Sequence, residues 1–296
     1  NLIQRLKPNS LKGLTTLGML NLSKNNISSW SAINPKTLLE PAVNLREFSL
    51  AFNPLTSFTA NDENLLLVSN SLQLLDLSHC KITKVSGSQV LQGMSDLKHL
   101  ILVNNQIRSI SDLISDTLVS LDLSNNRLTN LQPTMLVSLP SLTTINLSKN
   151  HRISLQTKQG EVTSVSLRRI DLSYCNMDNI ELEGFPALTN VNLKGNMIRQ
   201  LSSDSFLNSR MIENLDLSQN SINLIHSNTF NKLKHLKKLN LSFNMIPKID
   251  RDTFKENELL TKLDLSRNYI SRFNRISAPY LTLLNMTWCE IMTIDP

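Results

Sequence analysis

One eleven-residue pattern returns so often in this chain that it leaves little choice of fold. Residues 17–27, Leu17-Gly18-Met19-Leu20-Asn21-Leu22-Ser23-Lys24-Asn25-Asn26-Ile27, have the form LxxLxLxxNxL. Twelve copies begin at Leu17, Leu45, Leu72, Leu97, Leu118, Leu142, Leu167, Leu188, Ile212, Leu236, Leu260 and Leu281. The intervals between them are 28, 27, 25, 21, 24, 25, 21, 24, 24, 24 and 21 residues. A period in the twenties kept along nearly all of 296 residues describes a stack in which each repeat meets only its neighbours.

Count the opening leucine as place one. Places three to seven then alternate apolar and polar residues, the period of a β-strand. Leu121 and Leu123 point inward, and Asp122 and Ser124 point out. One strand per repeat, always in the same direction, makes a parallel sheet with strands about 4.8 Å apart. The return segments are bulkier than a strand, so the sheet becomes the concave side of an arc. The expected fold is an α/β repeat solenoid, a curved horseshoe with a parallel concave β-sheet and a mostly irregular convex side. Residues 1–296 form a single solenoid segment, in which 1–16 supply the convex part of a preceding repeat. The chain starts and stops mid-repeat, so the expectation is a piece of a longer solenoid or one without its caps.

The return segments carry apolar columns of their own. One contains Trp30, Phe58, Val85, Ile110, Leu131, Ile180, Leu201, Ile225, Ile249, Phe273 and Ile294; a second contains Leu11, Val90, Leu136, Phe206, Phe230 and Phe254. About six buried apolar side chains per repeat, at roughly 1.5–3 kcal/mol each, do not clearly exceed the ordering cost of two dozen residues at about 1–2 kcal/mol each. A repeat is therefore stable only within the stack. The repeat from Leu142 is irregular: Ile153 comes one residue late, and residues 156–166 lack the columns, which predicts a local bulge or a looser convex loop.

Place nine holds Asn25, Asn53, Asn105, Asn126, Asn150, Asn196, Asn220, Asn244 and Asn268. An amide offers donors and an acceptor to backbone groups at the bend where strand pairing stops. The other three repeats place Cys80, Cys175 and Cys289 there, the only three cysteines in the chain. With three and four repeats between them, they are beyond disulfide reach and cannot share a metal. They are expected to be buried thiols in the amide ladder.

The net charge of +6 comes from 30 basic and 24 acidic residues. Arg168-Arg169 and Lys237-Lys238 are basic pairs, but sheet aspartates dilute them, and nucleic-acid binding wants a continuous basic stripe with stacking aromatics. No apolar run approaches the length of a membrane span, so no membrane insertion is expected of this segment. The glycines are scattered, no HExxH or GxSxG string occurs, and His79, His99, His151, His226 and His235 have no metal spacing. Asp76, Asp122, Asp171, Asp216 and Asp264 recur mid-strand, the nearest two about 10 Å apart, with no enclosed pocket for acid catalysis. Neither an enzyme nor a cofactor or metal site is expected.

Binding is expected on the concave face. Its outward places are five (Asp or Asn), seven (Ser) and eight (variable). Place eight carries Phe52, His79, Tyr174, Phe243 and Trp288; with Asp216, these are the candidate ligand contacts, since exposed aromatics are enriched at interface hot spots. The plain alternative is that the aromatics cover the sheet edge by packing on neighbouring stems. Asn21, Asn26, Asn146, Asn240 and Asn285 head Asn-x-Ser/Thr sequons. Four of them belong to the strand string, and only Asn26 stands in a turn.

From Ile198 to Leu260 the columns read IxxLxxxxFxxLxxL, as in Ile222-Asn223-Leu224-Ile225 followed by Phe230 and Leu233. With three successive 24-residue intervals, the chain resembles the typical leucine-rich repeat of animal extracellular proteins, such as Toll-like receptor ectodomains, Slit-like proteins, adhesion receptors and small matrix proteoglycans. That resemblance implies a secreted or cell-surface, non-catalytic recognition module, in innate immunity among other roles. It also implies a protein ligand or co-receptor, homo- or heterodimerisation, and N-glycosylation. An extracellular matrix or adhesion scaffold and an intracellular adaptor are the alternatives.

Overall fold

The computed structural model describes residues 1–59, 67–151, 153–157 and 160–294. Two compact units emerge: Asn1–Asn150 with Gln156–Val162, and His151–Leu155 with Thr163–Pro296. The division falls in the repeat that starts at Leu142, the one whose return segment breaks the column pattern. Lys158 and Gln159 of that segment lie outside the described residues. Around them Gln156–Thr157 and Gly160–Glu161 pair antiparallel, the one reversal of direction among the described strand pairs.

In the first unit the repeat strands are Met19–Asn21, Glu47–Ser49, Leu74–Asp76, His99–Ile101, Ser120–Asp122 and Thr144–Asn146. They pair in parallel, with the place-four residues in register: Leu20 beside Phe48, then Leu75, Leu100, Leu121 and Ile145. In the second unit Arg169–Asp171, Asn190–Asn192, Asn214–Asp216, Lys238–Asn240, Lys262–Asp264 and Leu283–Asn285 do the same. Ile170, Val191, Leu215, Leu239, Leu263 and Leu284 are aligned there. The fold is a parallel-strand β-solenoid, as the repeat predicts.

Helix is sparse. Among the described residues it amounts to a 3-10 turn at Trp30–Ile33 and one α-helical turn at Pro35–Leu38. The mostly irregular return side carries short strands of its own. Phe58–Thr59, Lys84–Ser86 and Ser109–Ser111 form a second parallel layer in the first unit. Gln200–Leu201 pairs with Leu224–Ile225, and Arg272–Phe273 with Thr293–Ile294, in the second. Equal repeat spacing brings the same backbone groups side by side, and buried N–H and C=O groups pair when they can.

Between the layers lies a core of aligned columns. Phe206, Phe230 and Phe254 are fully buried, with ring centroids 6.1 Å and 5.6 Å apart. Trp30 and Phe58 form a similar pair at 5.4 Å. The expected column residues are buried except Ile180, Ile225 and Phe273, which are half-buried, and Ile294, which is exposed.

The amide ladder works in both directions. Asn105 donates from Nδ2 to the carbonyls of Leu77 and Leu102 at 2.8 and 3.0 Å. Its Oδ1 accepts the N–H groups of Cys80 and Ile82, both at 2.9 Å. Asn53, Asn126, Asn150, Asn196, Asn220, Asn244 and Asn268 likewise each link two repeats. Asn25 is only half-buried, yet its Oδ1 accepts the Ile3 N–H. The thiols reproduce half of this. Cys80 Sγ donates to the Leu50 carbonyl at 3.2 Å, and Cys289 Sγ to that of Leu265 at 3.2 Å. Sulfur is a weak acceptor, so the return function of Oδ1 is lost. Cys80 and Cys175 are buried, but Cys289 is only half-buried, a correction to the expectation that all three are sequestered: no later ladder residue covers it among the described residues.

Candidate functional site

The surface side chains of most interest sit at place eight, where the strand ends and the ladder asparagine must turn inward. The N–H there still pairs with the next repeat: Phe52 N–H donates to Ser78 O at 2.9 Å, and Phe243 N–H to Ser266 O at 2.9 Å. The chain then turns through the left-handed region. In the first unit φ is 55° at Lys24, 57° at Phe52, 56° at His79, 57° at Asn104, 53° at Asn125 and 57° at Lys149. In the second it is 56° at Tyr174, 70° at Gly195, 55° at Gln219, 54° at Phe243, 55° at Arg267 and 59° at Trp288. Glycine and asparagine take this conformation readily; for bulky L-residues it costs about 1–2 kcal/mol each.

The turn lays several of these side chains along the sheet edge, against the next repeat's counterpart. Lys24 Nζ stands 5.5 Å from the Phe52 ring centroid. Phe52 stacks on His79 at 4.1 Å and 10°. His79 Nδ1 lies 2.6 Å from Asn104 Nδ2, and Asn125 Nδ2 donates to Asn104 Oδ1.

The second unit has two such groups. The Tyr174 ring crosses Gly195, where an added Cβ would lie 2.4 Å from Cδ1 and Cε1. Its hydroxyl then donates to Gln219 Oε1 at 2.9 Å. Further along, the Arg267 guanidinium lies between two rings, 4.7 Å from the Phe243 centroid and 5.2 Å from that of Trp288. The aromatics do pack on their neighbours, yet much of their surface stays open: Phe52 is 47% exposed, Tyr174 38%, Phe243 46% and Trp288 77%.

Asp216 stands apart from this row. It belongs to place five, where the second unit alternates strictly: Asp171, Asn192, Asp216, Asn240, Asp264, Asn285. Asn192, Asn240 and Asn285 donate from Nδ2 to Asp171, Asp216 and Asp264 at 2.9, 3.3 and 3.1 Å. In the first unit Asn146 donates to Asp122 at 3.1 Å and the Ser49 hydroxyl to Asp76 at 3.0 Å. The second oxygen of each aspartate accepts the N–H two residues on, as Asp216 Oδ1 does from Ser218 at 2.8 Å. Both Asp216 oxygens are thus engaged inside the fold.

This geometry corrects the outward assignment of the serines. Ser124, Ser148, Ser173, Ser218, Ser242 and Ser266 are buried, and the place-five side chain accepts each serine N–H. Of the sequon asparagines, Asn146, Asn240 and Asn285 are half-buried with their amides engaged as above. Asn21 and Asn26 are exposed, and Asn21 Oδ1 accepts the Ser23 N–H at 2.9 Å.

Sequence reading did not detect the left-handed turn, the role of Gly195 or the lateral Asp–Asn bonding. Gly195 was the available signal, a lone glycine in a place otherwise filled by longer side chains. Among the described residues there is no group of three or more His, Cys, Asp or Glu side chains placed to hold a metal ion. No described helix is long and apolar enough to cross a membrane.

With this geometry in hand, the comparisons with known proteins are direct. The family described as "Leucine rich repeat" matches residues 116–177, 186–246 and 234–291, more than half of the chain. The chain belongs to the leucine-rich repeat family. A two-copy leucine-rich repeat pattern also matches residues 70–115. No curated protein matches the chain. Leucine-rich repeat domains usually mediate protein–protein contacts and are typically non-catalytic scaffolds, which fits a surface of open aromatics.

Proposed function

We propose that this leucine-rich repeat chain is the non-catalytic, ligand-binding part of a secreted or cell-surface recognition receptor, with innate immunity or cell recognition as its setting. The observation that carries this is the place-eight row. Phe52, Tyr174, Phe243 and Trp288 are held in a strained backbone conformation while much of each ring faces solvent. The turn itself does not need them, since Gly195 fills the same place. Strain kept in exposed aromatics is better explained by what they touch than by what they stabilise. The run of 24-residue repeats and the exposed sequon at Asn26 support an extracellular setting.

Two measurements test it. Epitope-tagged protein in its own cells is probed with a membrane-impermeant biotin reagent, and the recovered protein is treated with N-glycosidase. Surface labelling or recovery from the medium, with a glycosidase-sensitive shift, is the expected result. A wholly cytosolic, glycan-free protein would overturn the receptor assignment in favour of an intracellular adaptor. Self-association into a lattice without a soluble partner would favour a matrix scaffold.

A further inference from the structure

We propose that the sheet edge of the second unit centred on Arg267 is a docking surface for an acidic segment of a partner protein; this rests on the protein-binding function above and adds the chemistry of the partner. Arg267 is exposed, its guanidinium carbon lies 4.7 Å from the Phe243 ring centroid and 5.2 Å from that of Trp288, and it makes no ion pair among the described residues. A cation–π contact uses none of the guanidinium N–H donors, so the fork that binds a carboxylate with two parallel bonds stays available. All three residues hold left-handed backbone, at 54°, 55° and 59°.

The surroundings reinforce the same chemistry. Lys238 and Lys262 are register partners on adjacent strands of the sheet; both are exposed, and neither has a salt-bridge partner among the described residues. Two like charges side by side on a sheet repel, and a shared anion relieves that. The one carboxylate on the intervening face, Asp264, accepts from Ser266 N–H and Oγ through Oδ1 and from Asn285 Nδ2 through Oδ2. It is no free counter-ion for the lysines or Arg267.

Apolar surface borders the charges. Beyond Phe243 and Trp288, the edge presents Met245 and Tyr269 at place ten, 49% and 56% exposed, followed in the last repeat by the exposed Glu290. Arg, Tyr and Trp are the side chains that concentrate binding energy in protein interfaces.

Spacing selects the ligand class. Lys262 and Arg267 are five residues apart along one strand and turn, at most roughly 16 Å of backbone, so two separate acidic groups meet them without either long side chain folding toward the other. The site therefore takes at least two acidic groups with apolar side chains between them. A sulfated polysaccharide would use the charges but not the aromatics, and it prefers a continuous basic stripe, which the aspartates of place five interrupt.

The test uses a fluorescein-labelled peptide of four Glu-Ser-Leu repeats, its Gln-Ser-Leu counterpart and a heparin hexasaccharide, measured by anisotropy on the whole chain. We expect the Glu peptide to bind at least tenfold tighter than the Gln peptide at 50 mM salt, with the advantage shrinking at 300 mM. Arg267→Gln, Trp288→Ala and the Lys238→Ala/Lys262→Ala pair should each weaken it at least fivefold. Lys232→Ala/Lys255→Ala, on exposed return-segment positions, should not. Thermal melts confirm folding; if Arg267→Gln fails to fold, Arg267→Lys, which keeps charge without the planar fork, should still weaken binding about threefold. Equal binding of the two peptides overturns the proposal. So does heparin binding that depends on Lys238 and Lys262 but not on Trp288, or a glycan found on Asn240, which shares a strand with Lys238. None of these results bears on surface exposure or protein binding elsewhere, so failure here is separable from failure of the receptor function.

Discussion

The Tyr174 ring occupies the space that a side chain on Gly195 would need, and from there its hydroxyl reaches Gln219, two repeats from its own. Gly195 therefore answers two demands, a positive φ of 70° and the passage of an aromatic ring. Gly195→Ala is expected to destabilise the second unit by about 2 kcal/mol, of which about 1 reflects the backbone. Removing the ring as well, in Tyr174→Ala/Gly195→Ala, should recover the steric part. Urea unfolding of the two single variants and the double variant measures the coupling; strict additivity would show that the ring is not confined by the glycine.

The ladder makes an asymmetric prediction for asparagine and cysteine. Asn105→Ala strips the acceptor from two buried N–H groups and the donor from two carbonyls, and should cost about 3 kcal/mol or more. Cys80→Asn restores an acceptor at a bend that lacks one, and is expected to be neutral or stabilising by up to about 1 kcal/mol. A loss above about 2 kcal/mol in denaturant midpoints would mean that the site depends on apolar packing of the thiol.

Alkaline pH provides a second test of the same residue. Burial pushes the Cys80 thiol up from an ordinary value of 9.0 to about 11, because the thiolate would lose its hydration. A thiol that ionises later in the folded chain than in the unfolded one contributes stability below the unfolded value, and that contribution is lost as pH rises through the folded one. Between pH 9 and 11 the wild type should therefore lose up to about 3 kcal/mol relative to Cys80→Asn. Native alkylation at pH 8 should proceed slowly at Cys289, whose thiol is also pushed up by burial but is half-exposed, and not detectably at Cys80.

Place five and place eight should respond in opposite ways to mutation. Asp216→Ala leaves the Ser218 N–H and the Asn240 amide without their acceptor, an expected loss of about 1–3 kcal/mol in stability. Phe243→Ala keeps a Cβ in the same left-handed turn, so it should change stability within about 1 kcal/mol and show itself in binding. Equal stability losses at both positions would mean that the exposed aromatic row is a structural edge cover.

The inward-facing architecture was readable from sequence because it repeats. Leu121, Leu123 and Asn126 recur at fixed spacing, and a leucine on a pleated strand or an amide at a bend has one plausible destination. Place eight was not readable in the same way. Its side chains vary from Lys24 to Trp288, and the left-handed turn they share is ordinarily signalled by Gly or Asn, which appear only at Asn104, Asn125 and Gly195. The burial of the serines is hidden for a related reason: strand alternation says which way Ser218 points but not that its N–H is taken by Asp216 and the residue ends up buried. Asp216 reads from sequence as an outward residue on a concave strand between sequon-bearing ones, whereas its bonds run sideways, a relationship visible only once two strands are placed in register.

That sideways bonding gives the second unit a parity. Donor and acceptor alternate along Asp171, Asn192, Asp216, Asn240, Asp264 and Asn285, so each carboxylate has an amide beside it. Excising the single repeat that contains Asn192 would bring Asp171 next to Asp216 and set two carboxylates side by side with no donor between them. Excising two consecutive repeats would restore the alternation. Any shortening or lengthening of this stretch that keeps its surface row intact must therefore proceed by even numbers of repeats.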